Sequence, residues 1–131
     1  MLTTRFLALK YILGIHHDQI ERYGGSHGVR DSELLLSALE RPKASFSGKF
    51  LYPRVFDKAA ALAHSLILNH PFIDGNKRTG IVSAAAFLME NGFSLETKPS
   101  NLISVALSVA TKKWNLEQLS HWLEKNSKRA K

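Results

Sequence analysis

Apolar residues recur three and four positions apart along most of the chain, the period of helices that bury one face. Ile12, Leu13, His16, Ile20 and Tyr23 share a face of a first predicted helix, which Gly24-Gly25 closes by accepting left-handed backbone. Asp31 is a good N-cap for a short second helix carrying Leu34, Leu35, Ala38 and Leu39, and Pro42 stops it. A third helix over about 56–69 has Ala59, Leu62, Ala63, Leu66 and Ile67 as its stripe. A fourth, over about 77–91, presents Ile81, Ala84, Ala85, Leu88 and Met89 and ends at Gly92. Residues 93–95 read as extended. Two more helices follow, over about 101–113 and 116–125, the last capped by Asn115 with Gln118 as its reciprocal partner. The pattern predicts an all-α fold: one compact domain of about six helices spanning 1–131, with 125–131 a frayed basic tail.

Residues 41–56, RPKASFSGKFLYPRVF, are the longest stretch without a helical period. Two prolines, a glycine, aromatics and cations make it a long loop with room for a short hairpin. A loop of that length in a compact domain is as a rule either functional or mobile.

Composition narrows the classes. The 131 residues contain no cysteine, which excludes a disulfide scaffold, thiolate metal sites and a cysteine nucleophile. No run reaches the ~18 apolar residues of a membrane helix. At the N-terminus Lys10 splits the apolar run, so that segment reads as mature domain and not as a leader. The net charge of +7 is unevenly placed. Residues 125–131 hold four basic groups and no acid, and residues 41–58 hold five basic groups and one acid. A tail and a loop, without a basic helix face, do not make a nucleic-acid footprint, so no direct nucleic-acid partner and no membrane partner are expected.

Residues 70–79, HPFIDGNKRT, break the local rules for stable structure. A helix ends, a polar loop follows, and the next helix opens on Lys77 and Arg78, which its dipole disfavours. The same arrangement suits a bound phosphate: free N–H groups point into the loop beside two cations. Gly75 removes a side chain where backbone approaches an anion, and the Asn76 amide can fix a phosphate oxygen. An imidazole titrates near ~6.5, which fits His70 as a general base. Asp74 can hold Mg²⁺ or orient an attacking hydroxyl. Phe72 and Ile73 are the expected apolar anchors of the loop. Together these residues point to phosphoryl or nucleotidyl transfer from a nucleotide. His64 either lines this site or is a packed histidine. His16 reads as partly buried, His17 as solvated, and Trp114 and Trp122 as parts of the last helices.

HPFIDGNKRTG resembles the signature of the Fic superfamily, specifically its death-on-curing (Doc) branch of toxins from toxin–antitoxin pairs. IHHDQIERYGGSHGVRDSELLLSALERP and AAALAHSLILNHPFIDGNKRTGIVSAAAFLMENG resemble that family's N-terminal and central regions, so the likeness covers about 6–95. The resemblance implies a Fic/Doc fold and His70 as the base for a Ser or Thr hydroxyl of a target protein. It implies Asp74 positioning that hydroxyl or Mg²⁺, and Gly75, Asn76, Lys77 and Arg78 binding the triphosphate of ATP. It implies that residues 42–56 correspond to a flap that docks the target beside the site, with Lys49, Phe50, Leu51 and Tyr52 as its docking residues.

AMP-transferring Fic enzymes have Gly where this chain has Lys77 and a second Arg where it has Ile81. The resemblance therefore implies a reversed nucleotide and transfer of the γ-phosphate: a Doc-type protein kinase, with AMP transfer, or a catalytically idle antitoxin-binding module, as alternatives. Its implied target is elongation factor Tu, its partner a Phd-like antitoxin, and its location the cytoplasm. The Doc pattern most often has alanine where Gly80 stands, a difference expected only to weaken the helix slightly. Ser120 and Glu124 echo an inhibitory-helix pattern of some Fic proteins, but Lys125 fails its last position, so the match is read as chance.

Overall fold

The computed structural model describes residues 3–130. Six helices form in the predicted order: α1 (Leu9–Tyr23), α2 (Ser32–Glu40), α3 (Val55–Asn69), α4 (Asn76–Glu90), α5 (Pro99–Ala110) and α6 (Leu116–Lys125). A single 3-10 turn (Arg41–Lys43) leads from α2 into a hairpin of β1 (Ser45–Phe46) and β2 (Lys49–Phe50). β3 (Phe93–Leu95) pairs antiparallel with β4 (Ser127–Arg129). The fold is all-α, with only these two small sheets beside the helices.

α3 and α4 form the centre. Ala59, Ala60, Leu62, Ala63, Leu66 and Ile67 of α3 are buried in one cluster with Ile81, Ala84, Phe87 and Leu88 of α4. The small side chains let the two backbones approach closely, and Gly80 sets the limit. A Cβ there would lie 2.6 Å from Ile67 Cγ1 and 3.1 Å from the Ala63 carbonyl oxygen. The expectation that Gly80 only weakens its helix is therefore corrected: its missing side chain is what the α3–α4 approach requires.

Helix ends mostly follow their caps. The Asp31 carboxylate accepts from Leu34 N at 3.0 Å, and Asn115 and Gln118 form the predicted box at 2.9 and 2.8 Å. α5 begins two residues before its predicted start because Pro99 suits the first helical turn.

The tail needs a larger correction. Instead of fraying, Ser127–Arg129 continue past α6 as β4, with Phe93 opposite Arg129 and Leu95 opposite Ser127. Ala130 N donates to Gly92 O at 2.8 Å, and the Arg129 guanidinium lies 5.3 Å from the Phe93 ring centre. β3 is a lone three-residue strand otherwise, and the tail supplies the main-chain partners it lacks. Lys131 lies outside the described residues.

The Ser120–Glu124 pattern has a structural role. Ser120 Oγ donates to Asp57 at 2.6 Å and Arg54 donates to Glu124 at 2.8 Å, fastening α6 to the start of α3. His70 follows the other end of α3, thirteen residues and about 20 Å from Asp57 along the axis.

Candidate functional site

The site begins where α3 stops. His70 is its C-cap, in left-handed backbone at φ 49° and ψ 57°. A non-glycine residue there is unfavourable by roughly 1–2 kcal/mol, so something must hold it. Arg30 does: Nε donates to His70 O at 2.6 Å and Nη2 to Asn69 O at 2.9 Å, satisfying two terminal carbonyls of α3 with one cation. Arg30 N and Asp31 N both donate to Pro71 O, and Ile73 N donates to Gly28 O at 3.1 Å. The segment before α2 thus braces the loop after α3. Sequence reading misses Arg30, whose only signal is its place beside the N-cap Asp31.

Inside the loop, Asn76 differs from expectation. Its Oδ1 accepts from Phe72 N at 2.9 Å and its Nδ2 donates to Phe72 O at 3.0 Å. The side chain is buried and closes the loop on itself, so its amide faces Phe72 main chain and not a phosphate oxygen. Phe72 is buried as predicted, stacked on the His16 ring at 3.8 Å between centres. Ile73, its expected companion anchor, is exposed. His16 Nε2 donates to Asp74 O at 2.8 Å, and burial lowers the pKa of this imidazole, favouring the neutral ring. His16 is a loop-positioning residue whose burial, though not its partner, follows from the periodicity of α1.

Asp74 is exposed, and its carboxylate accepts Gly75 N at 2.9 Å and Ser26 N at 3.2 Å. Those two bonds, with a smaller contribution from the Arg78 charge, hold it below the usual carboxylate range. Gly75 has φ 76°, and a Cβ on it would lie 2.9 Å from Ile20 Cδ1 and 3.7 Å from His16. Its glycine is required by α1 underneath and by the turn, which adds a reason to the one expected.

α4 then starts with Asn76, Lys77 and Arg78, and no side chain caps it. Arg78 Nη2 donates to Gly24 O at 3.0 Å and the guanidinium sits 5.5 Å from the Tyr23 ring centre, joining the end of α1 to the start of α4. Lys77 is exposed. Residues 74–78, Ile81 and the α5 residues Ile103, Ala106 and Leu107 line a cleft of about 280 Å³. His70 is not part of that lining. A second groove of about 360 Å³, walled by Tyr23, Val82, Pro99 and Leu102, shares Arg78, Ile81 and Ile103 with it.

The residues fit Mg²⁺ only in a shared site. Asp74 offers an ionised carboxylate, and among the described residues no group of three or more His, Asp or Glu side chains can hold a metal. An ion of this kind takes one or two carboxylates together with substrate phosphates and water.

The flap is the predicted hairpin, turning at Ser47 and Gly48 with φ 51° and 76°, the sign pattern of a type I′ turn. Lys49, Phe50 and Leu51 are exposed on it. Tyr52 is half-buried, its hydroxyl accepting from Arg41 Nε at 2.9 Å, so it belongs to the base of the flap and not to a docking surface. The local basicity is also largely internal. Lys43 pairs with Glu40, Arg54 with Asp57 and Glu124, and Arg41 and Lys58 bond within the fold. Lys49 alone of these five cations has no ion pair or hydrogen bond among the described residues. His64 resolves to the packed alternative: its Nδ1 accepts from Arg41 at 2.9 Å.

The profile of the Fic/DOC family matches residues 6–88, from the approach to α1 through most of α4. Toxin Doc of Mycolicibacterium smegmatis is 51% identical over 73 residues, 56% of each chain, so this chain spans little more than half the length of that curated relative. Protein kinase doc of Escherichia phage P1 is 28% identical over 107 residues, covering 82% of this chain and 83% of the relative. With the helical fold and the loop between α3 and α4 inside the matched span, this chain belongs to the Fic/DOC family.

Proposed function

We propose that the chain, read as one Fic/Doc domain, is a toxin that transfers the γ-phosphate of ATP to a Ser or Thr hydroxyl of a protein. Elongation factor Tu is the proposed target, in the cytoplasm, and the consequence is arrested translation. The observation that carries the reading is the loop between α3 and α4. It sets an uncapped helix start, an ionised Asp74 and the cations Lys77 and Arg78 around one cleft. His70 is held nearby in a conformation that a glycine would adopt more easily.

In this mechanism the N-terminal amides of α4, with Lys77 and Arg78, bind and orient the triphosphate. Mg²⁺, when bound by Asp74 and the phosphates, neutralises charge on the phosphate oxygens. His70 accepts the proton of the target hydroxyl as its oxygen attacks the γ-phosphorus, and ADP leaves with the electrons of the broken P–O bond. The exposed edge and side chains of the flap hold the target segment.

Two further observations favour phosphate over AMP transfer. Ile81, buried on the cleft wall, stands where the AMP-transferring relatives are expected to have a second Arg, and Lys77 brings an ammonium to the cleft. A relative covering 83% of its own length in the match is named a protein kinase. A Phd-like antitoxin is the proposed partner, and the apolar groove beside Tyr23 and Leu102, which adjoins the cleft, is its proposed seat.

Expression of the chain in growing bacteria is expected to stop incorporation of labelled methionine within minutes, and His70→Ala is expected to restore it at equal protein level. Equal arrest by both forms would remove His70 from the chemistry.

A further inference from the structure

Two cations that the chemistry of the cleft does not use converge on the base of the flap. Arg41, in the turn after α2, donates from Nε to the Tyr52 hydroxyl at 2.9 Å. Its Nη1 donates to His64 Nδ1 and to Ser65 Oγ, each at 2.9 Å, and its guanidinium lies 5.4 Å from the Tyr52 ring centre. Lys58 is 1% exposed, yet no carboxylate pairs with it among the described residues. Its ammonium donates to Tyr52 O at 2.7 Å and Pro53 O at 3.0 Å, and sits 4.0 Å from the centre of the Phe50 ring.

A buried lysine bonded only to carbonyls and a ring face is an expensive way to fill space, because an apolar side chain of the same volume avoids the desolvation. What it provides is geometry. His64, Ser65 and Lys58 all belong to α3, the helix that ends at His70. The exit strand of the flap is therefore pegged to that helix at two heights, roughly 18 Å and 9 Å before His70 along the axis. Beyond the pegs the hairpin projects into solvent, with Phe46 75% and Leu51 57% exposed, while Phe50 rests its ring on the Lys58 ammonium. At its neck Leu51 N donates to Ala44 O at 2.8 Å.

We propose that Arg41 and Lys58 are positioning residues for target docking: by pegging the flap to α3 they set where the docked segment lies relative to His70. Neither touches the target. The inference rests on the reading above that the flap docks a protein target. It adds that the flap is a fixed platform moving with α3, not a lid that closes on its own hinge.

The test is steady-state phosphate transfer from ATP to elongation factor Tu by the full chain and its variants. Arg41→Met, Lys58→Met and the milder Tyr52→Phe are expected to raise KM for elongation factor Tu. The first two should do so by about tenfold and lower kcat as well, because a displaced segment meets His70 less well, with KM for ATP within about twofold. Arg41→Lys, which keeps one donor, is expected to recover part of the loss. Because Tyr52→Phe removes one hydroxyl and retains the ring, it reports even where a pegless variant fails to fold.

Lys49→Ala and Leu51→Ala, which leave the pegs intact, are run alongside to separate the two claims. If they raise KM while Arg41→Met and Tyr52→Phe do not, the pegging inference is wrong and docking by the flap stands. A rise in KM for ATP as large as that for elongation factor Tu in the Arg41 and Tyr52 variants would equally overturn it. If Lys49→Ala and Leu51→Ala leave KM unchanged, or the unaltered chain transfers no phosphate to elongation factor Tu, the underlying reading fails and this inference fails with it.

Discussion

His70 and His16 show how residue types and residue roles come apart. Both are histidines at the same loop, but His70 ends a helix in left-handed backbone while His16 lies beneath, stacked on Phe72 and bonded to the Asp74 carbonyl. The motif made His70, Asp74, Lys77 and Arg78 legible because their chemistry is distinctive. Asn76 misled, since an amide serves a phosphate or a main chain equally well and only the closed loop decides. Arg30 and His16 were not legible as site residues because their partners lie 40 and 58 positions away. His16→Leu keeps the bulk against Phe72 and removes the bond to Asp74. It is expected to cost about 1–3 kcal/mol in denaturant unfolding, as for a carbonyl left short of a partner. An unchanged midpoint would deny His16 its positioning role.

His64 carries a pH prediction at the same scale. Burial, and then the Arg41 charge, hold its pKa below the ordinary value, and its Nδ1 must stay unprotonated to accept from Arg41. Above about 6.5 the folded and unfolded chains both hold it neutral. As pH falls below that, the unfolded chain takes up a proton that the folded chain resists, so this stability is lost with acid. The unfolding midpoint is expected to fall between pH 7 and pH 5, and less steeply in His64→Gln. Parallel slopes for the two proteins would contradict it.

Among elements, the α3–α4 pair gives a prediction whose sign separates two explanations. Helix propensity alone says that Gly80→Ala stabilises by ~1 kcal/mol. The contact with Ile67 and Ala63 says that it destabilises, by about 1–3 kcal/mol as for an overpacked core. A fall in Tm is expected, and a smaller one when Gly80→Ala is made in an Ile67→Ala background, which lacks the γ carbon in the way; a rise would return Gly80 to a neutral position. The six helices were legible because their apolar stripes are long, and the hairpin because Ser47-Gly48 punctuates an aperiodic run. β4 was not legible. A short polar and basic segment has no period, and its pairing depends on β3 more than thirty residues earlier.

For the whole molecule, the charge of +7 changes meaning once partners are known. Most cations around the flap are tied into the fold, and Arg129 and Lys128 of the tail face Phe93 and Glu96. Lys77, and Arg78 with the donors it does not spend on Gly24 O, are the cations that line the cleft. Family membership was readable from one ten-residue loop. The expectation of a reversed nucleotide comes from two positions, Lys77 and Ile81, and it is what an experiment has to decide. One measurement tests this centre of the account most directly. The chain is incubated with elongation factor Tu, Mg²⁺ and ATP carrying distinguishable labels on its α- and γ-phosphates. Label from the γ position alone on the protein, lost in His70→Ala, is the predicted result. Label from the α position would contradict it.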